Sequence, residues 1–208
     1  MIADMKIDNT EIAFFDFDGT ITSKDTLAEV LKFIKGKYNY YFGLLVLSPI
    51  IVSYKIGLLS NHRAKEILLS YFLKGMDAGK FNTLCREFTD KKLPHLLKKN
   101  ALHEIRKHLQ NRTPVIVISA SPENWIFPWC SKFNIECIAT KLEIKNGKLT
   151  GKIEGRNCSG LEKVKHIQTR YNLSDYKKIH AYGDSKDDLP MLNLATEKNY
   201  KPFRKYSY

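Results

Sequence analysis

Short stretches rich in apolar residues occur at 12–15, 115–119, 135–139 and 179–182. Each has the length of a strand covered on both faces. Between them the apolar residues recur at helical spacing. Residues 25–35 read as a helix stopped by Gly36, and 60–74 as one capped by Ser60 or Asn61 and stopped by Gly75. Asp77 caps a third helix running to about Lys91 or Lys92, and further helices are expected over 94–111, 122–133 and 161–171. Residues 142–153 form a hairpin about Asn146-Gly147, a pair suited to the positive φ angles of a tight turn. A short last strand is expected within 199–202.

Strands alternating with helices predict an α/β fold with a doubly wound, Rossmann-like parallel sheet and right-handed crossovers. Residues 22–93 hold no strand pattern, so an all-helical insert over 22–93 interrupts a core made of 1–21 and 94–208. Ligands of such sheets sit at the carboxyl ends of the strands. Three strands end there in polar groups: Asp16 and Asp18, Ser119, and Asp184 with Asp187 and Asp188. Asp-Phe-Asp-Gly alone also reads as a solvated turn. Three converging strand ends favour a site instead.

The insert holds one unusual stretch. From Tyr38 to Tyr54 no residue is charged, and Pro49 interrupts the run. It is short for a bilayer span, which takes about 20 apolar residues. Three readings remain open: a kinked helix in a membrane interface, an apolar lid over the site, or buried helical core of the insert.

Composition narrows the picture little. The chain has 208 residues, and its 43% hydrophobic and 27% charged content is ordinary for a globular protein. A formal net charge of +12 favours anionic partners: phosphorylated metabolites, nucleic acid or an acidic membrane. The basic residues come as scattered pairs, such as Lys91-Lys92 and Lys98-Lys99, without a nucleic-acid motif, so nucleic acid is not an expected partner. Cys85, Cys130, Cys137 and Cys158 lack C-x-x-C or zinc-finger spacing and read as reduced packing residues of a cytoplasmic protein. Met1 to Glu11 carries no apolar segment of the secretory kind. The six histidines form no metal-spaced pair.

Residues i and i+2 of an extended strand face the same side, so Asp16 and Asp18 are expected to share one small space. Paired anions call for a hard divalent cation such as Mg²⁺. Phosphoryl transfer then has its parts: Asp16 as nucleophile, Asp18 as proton donor and acceptor, and Ser119 as a donor to a phosphoryl oxygen. Asp184 supplies a metal oxygen, with Asp187 or Asp188 behind it. Lys163 or Lys165 supplies the fixed positive charge.

Asp-Phe-Asp-Gly-Thr at 16–20, Ser119, Lys163 and Gly-Asp-x-x-x-Asp at 183–188 together resemble the four motifs of the haloacid dehalogenase-like hydrolase superfamily. The insert is similar to that family's helical cap. Ser-Ala-Ser-Pro at 119–122, Asn-Gly-Lys-Leu-Thr-Gly at 146–151 and Gly-Leu-Glu-Lys-Val at 160–164 resemble its phosphoserine-phosphatase-like branch. The resemblance implies a phosphatase with an aspartyl-phosphate on Asp16 and Asp18 as acid/base. It implies Lys163 as the cation, and Mg²⁺ held by Asp16, the main-chain carbonyl of Asp18 and Asp184. Phosphoserine phosphatases place a glutamate, a cap arginine and a glycine pair where this chain has Asp25, no matching arginine, and Ala120 with Ser121. These three are the expected substrate contacts. The apolar cap is also similar in character to the phosphatidylglycerophosphatase C type, which implies a lipid phosphate substrate, peripheral contact through 38–59, and a place at the inner face of the membrane.

Overall fold

The computed structural model describes residues 10–204. The expectation for Met1 to Glu11 therefore lies outside the described residues, apart from Thr10 and Glu11. Six strands form one sheet in the order β4-β3-β2-β1-β5-β6. Strand β1 is Glu11–Phe15. It pairs in parallel with β2, Val115–Pro122, and with β5, Lys178–Gly183. Strand β3 is Glu136–Lys145, β4 is Lys148–Glu154 and β6 is Glu197–Tyr200. All neighbours are parallel except β3 and β4.

The central strand is buried on both faces, as four uncharged residues in a row require. Ala13 and Phe15 join the larger apolar core on one side, and Ile12 and Phe14 the smaller core on the other. Helices α6 (Lys99–Gln110), α7 (Glu123–Ser131), α8 (Leu161–Arg170) and α9 (Leu189–Leu192) follow or precede the strands. Five helices lie between β1 and β2: α1 (Thr26–Lys35), α2 (Lys37–Val46), α3 (Ser48–Lys55), α4 (Asn61–Leu73) and α5 (Ala78–Lys91). Their side chains share the larger core, which includes Val30, Leu69, Phe72, Phe81 and Phe88.

Three expectations need correction. The strand at 135–139 and the first arm of the hairpin are one continuous strand, β3. Its first half pairs in parallel with β2 and its second half antiparallel with β4. The helix expected from 94 begins at Lys99, because a short 3₁₀ turn takes up Leu93–His95. The last strand ends at Tyr200 rather than 202.

The uncharged stretch is two helices, α2 and α3, broken at Leu47 with Pro49 in the first turn of the second. The buried-core reading fails for most of it. Tyr40, Gly43 and Leu47 are buried, but Tyr38 is 93% exposed, Phe42 63%, Leu45 69% and Leu58, just beyond it, 78%. Two short helices lying on α1 and α4 turn only one edge inward, and an apolar sequence all round leaves the rest in solvent. Among the described residues no helix is long and apolar enough to cross a membrane. The four cysteines are free, three of them buried.

Candidate active site

Strand β1 ends at Phe15; Asp16 follows it, still extended (φ −67°, ψ 160°), and the chain then makes one loose turn over Phe17–Ile21. Gly19 takes φ +78° there, and a Cβ at this position would run into the Asp184 carboxylate. Glycine is needed both for the backbone angle and for the close approach. Gly183, at the end of β5, is needed for the close approach alone, since a Cβ there would press on Asp188.

These turns bring three carboxylates together. Oxygens of Asp16, Asp184 and Asp188 lie within 4.8 Å of one another. Lys163, from the first turn of α8, reaches into them: its Nζ donates to Asp16 Oδ1 at 2.6 Å and to Asp188 Oδ1 at 2.7 Å. It is 2% exposed. Thr20 Oγ1 donates to the other Asp16 oxygen at 3.1 Å. Asp188 Oδ2 accepts from the backbone N–H groups of Asp184 and Ser185 and from Ser185 Oγ.

Burial pushes the Asp16 carboxyl up to about 7, against the pull of Lys163. Burial also disfavours charge on Lys163, but Asp16 and Asp188 outweigh it and hold the ammonium above its ordinary range. For Asp188, burial is outweighed by Lys163 and by the Ser185 donors, and its pKa is lowered. One ammonium among three carboxylates leaves negative charge uncompensated in a largely buried place. All the offered ligand atoms are hard oxygens, so the cluster fits a divalent ion of the Mg²⁺ kind.

Asp18 does not join that cluster. Its Oδ1 accepts from Thr26 N at 2.6 Å, and Ser121 Oγ donates to its Oδ2 at 2.5 Å. The regular i, i+2 projection breaks down because the strand has already ended at Phe15. Burial, with nearby Asp25, raises the Asp18 pKa against these hydrogen bonds.

Asp16, Asp18, Ser119, Ala120, Ser121, Lys163, Asp187 and Asp188 line one cavity of about 400 Å³. Its other wall comes from the insert: Leu27, Leu47, Ile50, Ile51, Tyr54 and Leu68 make an apolar stretch, and Asp25, Asn61 and Lys65 add polar groups. Ser119 is buried, and its Oγ accepts from Ser121 N at 3.0 Å. Asp25 lines the cavity but also caps α1, accepting from Ala28 N. Asp187 is exposed, and its Oδ2 accepts from Asn61 Nδ2 and Ser159 Oγ. Asp184 is not among the cavity-lining residues, although its carboxylate is part of the cluster.

Lys65 and Asn157 had no signal in sequence. Lys65, on α4, donates from Nζ to Ala120 O at 2.6 Å and to Asn157 Oδ1 at 3.1 Å, bridging the insert to the sheet. Burial lowers its pKa to about 8. Lys98 donates to Gly19 O beneath the turn. Nothing local distinguishes these lysines among 34 basic residues.

The haloacid dehalogenase-like hydrolase model matches residues 13–193, and the chain belongs to that family. It is 31% identical over 192 residues to Protein CicA of Caulobacter vibrioides, covering 91% of this chain and 85% of that protein. A protein of unknown function from Bordetella pertussis Tohama I is similar in structure: TM-score 0.78, 23% identity, with 90% of this chain and 88% of that one covered. A phospho-aspartyl intermediate analogue of phosphoserine phosphatase follows at TM-score 0.60 and 22% identity, covering 90% and 84%. The fold is therefore that of the phosphoserine-phosphatase-like branch.

Proposed function

We propose that the protein is a Mg²⁺-dependent phosphomonoester hydrolase that works through a covalent aspartyl-phosphate on Asp16. The observation that carries this reading is Asp16 itself. A buried carboxylate is clamped by Lys163 and Thr20, stands within 4.8 Å of Asp184 and Asp188, and faces a cavity of about 400 Å³.

Asp16, Asp184 and the main-chain carbonyl of Asp18 would hold the Mg²⁺. When bound, the ion neutralises charge on the phosphoryl oxygens and on the ligating carboxylates. A carboxylate oxygen of Asp16 attacks phosphorus in line with the ester oxygen, forming the acyl-phosphate bond as the ester bond breaks. Asp18 gives its proton to the departing alcohol, then takes one from the water that cleaves the intermediate. Ser119 and Lys163 meet the phosphoryl oxygens without moving, because each is buried and hydrogen-bonded already. The helices of 22–93 act as a cap, with Leu47, Ile50, Ile51 and Tyr54 facing the leaving group.

The substrate is a phosphorylated small molecule. The structural neighbours include a phosphoserine phosphatase; here the cap side of the cavity offers Asp25 and Lys65 as charged groups beside a stretch of Leu47, Ile50, Ile51 and Tyr54 that favours a less polar leaving group. A second reading, a lipid phosphate met at the inner face of the membrane, rests on the exposed Tyr38, Phe42, Leu45 and Leu58, with Lys35, Lys37 and Lys55 beside them in sequence. The test is Mg²⁺-dependent phosphate release from soluble and lipid phosphomonoesters, with Asp16→Asn as control. Release that vanishes in the variant supports the hydrolase, and the best ester decides between the substrates. Release that persists in the variant contradicts the reading.

A further inference from the structure

Ser121 reaches Asp18 through an irregularity in the sheet. The β2–β3 ladder runs in step to Ser119 opposite Ala139 and resumes at Pro122 opposite Thr140. Ala120 and Ser121 have no partner on β3. Such bulges re-aim side chains beside functional sites. This one is pinned from two directions. Ser121 N donates to Ser119 Oγ, and the Ala120 carbonyl accepts from Lys65 Nζ of the cap. Ser121 is 4% exposed, and its hydroxyl stands 2.5 Å from Asp18 Oδ2.

We propose that Ser121 is a positioning residue for Asp18, acting in the step that protonates the leaving oxygen. The inference rests on the phosphatase reading above. In that step the bond from phosphorus to the ester oxygen breaks as the Asp16–phosphorus bond forms. The proton passes from Asp18 to the departing oxygen and leaves Asp18 as a carboxylate. A hydroxyl donating to Oδ2 stabilises that carboxylate and holds its rotamer. The remaining lone pairs stay free to face the leaving group. The serine is thus spent on Asp18 rather than on substrate.

Leaving-group dependence tests this. An alkyl phosphate needs the proton in its transition state, whereas 4-nitrophenyl phosphate expels a stable phenolate without it. With the best alkyl ester of the panel, Ser121→Ala lowers kcat/KM, which reports the steps up to departure of the alcohol, by about 10- to 100-fold. With 4-nitrophenyl phosphate, kcat/KM stays within about threefold of the parent, whatever happens to the later attack of water. Ser121→Thr, which keeps the hydroxyl, restores the alkyl rate, and Ser121→Gly repeats the alanine pattern. Equal losses of kcat/KM on both esters, or no loss on the alkyl ester, would overturn the role of Ser121. The phosphatase reading would survive any of these, provided that the parent cleaves 4-nitrophenyl phosphate and Asp16→Asn does not. If the parent cleaves neither ester, both fall together.

Discussion

Lys163 Nζ lies 2.6 Å from Asp16 Oδ1, and the two come from points 147 residues apart in the chain. The contact joins the end of the central strand to the first turn of α8. It supplies the fixed positive charge beside the proposed nucleophile, and it partly offsets the burial of two carboxylates, since Asp188 takes a second N–H of the same ammonium. Removing one member of such a group leaves the others buried and unpaired. Lys163→Met is expected to reduce phosphate release by roughly 10²- to 10³-fold, the loss typical of a missing donor to the reacting group. It should also destabilise the metal-free protein by about 3 kcal/mol, read from denaturant unfolding. An inactive variant of unchanged stability would place Lys163 outside the carboxylate network.

The carboxylate cluster predicts a metal effect that does not depend on turnover. Mg²⁺ binding to the folded state alone raises its melting temperature with concentration, by mass action. Thermal melts with and without Mg²⁺ should differ in the parent. Asp184→Asn should flatten the response, because it removes one anionic oxygen from the group of three. The same dependence on Mg²⁺ in Asp184→Asn as in the parent would exclude this carboxylate as a ligand.

A second buried titratable group lies away from the cavity-lining residues. His108 Nε2 is 2.9 Å from Tyr182 Oη, and the ring packs edge-on to Phe15. Burial, with His180 close by, pushes the His108 pKa down to about 4. The unfolded chain takes up this proton near its ordinary value of about 6.5, so below that pH the unfolded state binds more protons. The stability gained by burying a neutral ring is therefore full above about pH 6.5 and is lost as the pH falls toward about 4. Melts at about pH 7.5 and about pH 5 should show a larger drop in the parent than in His108→Phe. Equal drops would mean that His108 takes up its proton without unfolding.

Much of this arrangement was legible in the sequence because it depends on local pattern. An uncharged run that stops at a carboxylate marks a buried strand and its carboxyl end. Glycines at 19 and 183 mark the places where the backbone passes closest to Asp184 and Asp188. The direction of the Asp18 side chain was not legible. It depends on where β1 stops, and one residue of difference turns the carboxylate from the cluster to Thr26 and Ser121. The bulge at 120–121 is equally hidden, since its cause is the register with β3. Exposure of α2 and α3 escaped the sequence for another reason. A run that is apolar on all sides has no preferred face, and only the packing on α1 and α4 selects the edge at Tyr40, Gly43 and Leu47. Lys65 meets Ala120 across 55 residues, and no spacing rule reaches that far.

The central claim is a phosphoryl group carried on Asp16, and the most direct measurement is to trap it. The protein would be mixed with Mg²⁺ and the best ester of the panel, quenched in acid during turnover, digested and analysed by mass spectrometry. The account predicts a phosphoryl increment on the peptide that contains Asp16, localised to that residue and absent from Asp16→Asn and from samples without ester. Turnover with no labelled Asp16, or an increment on a different residue that survives in Asp16→Asn, would contradict it.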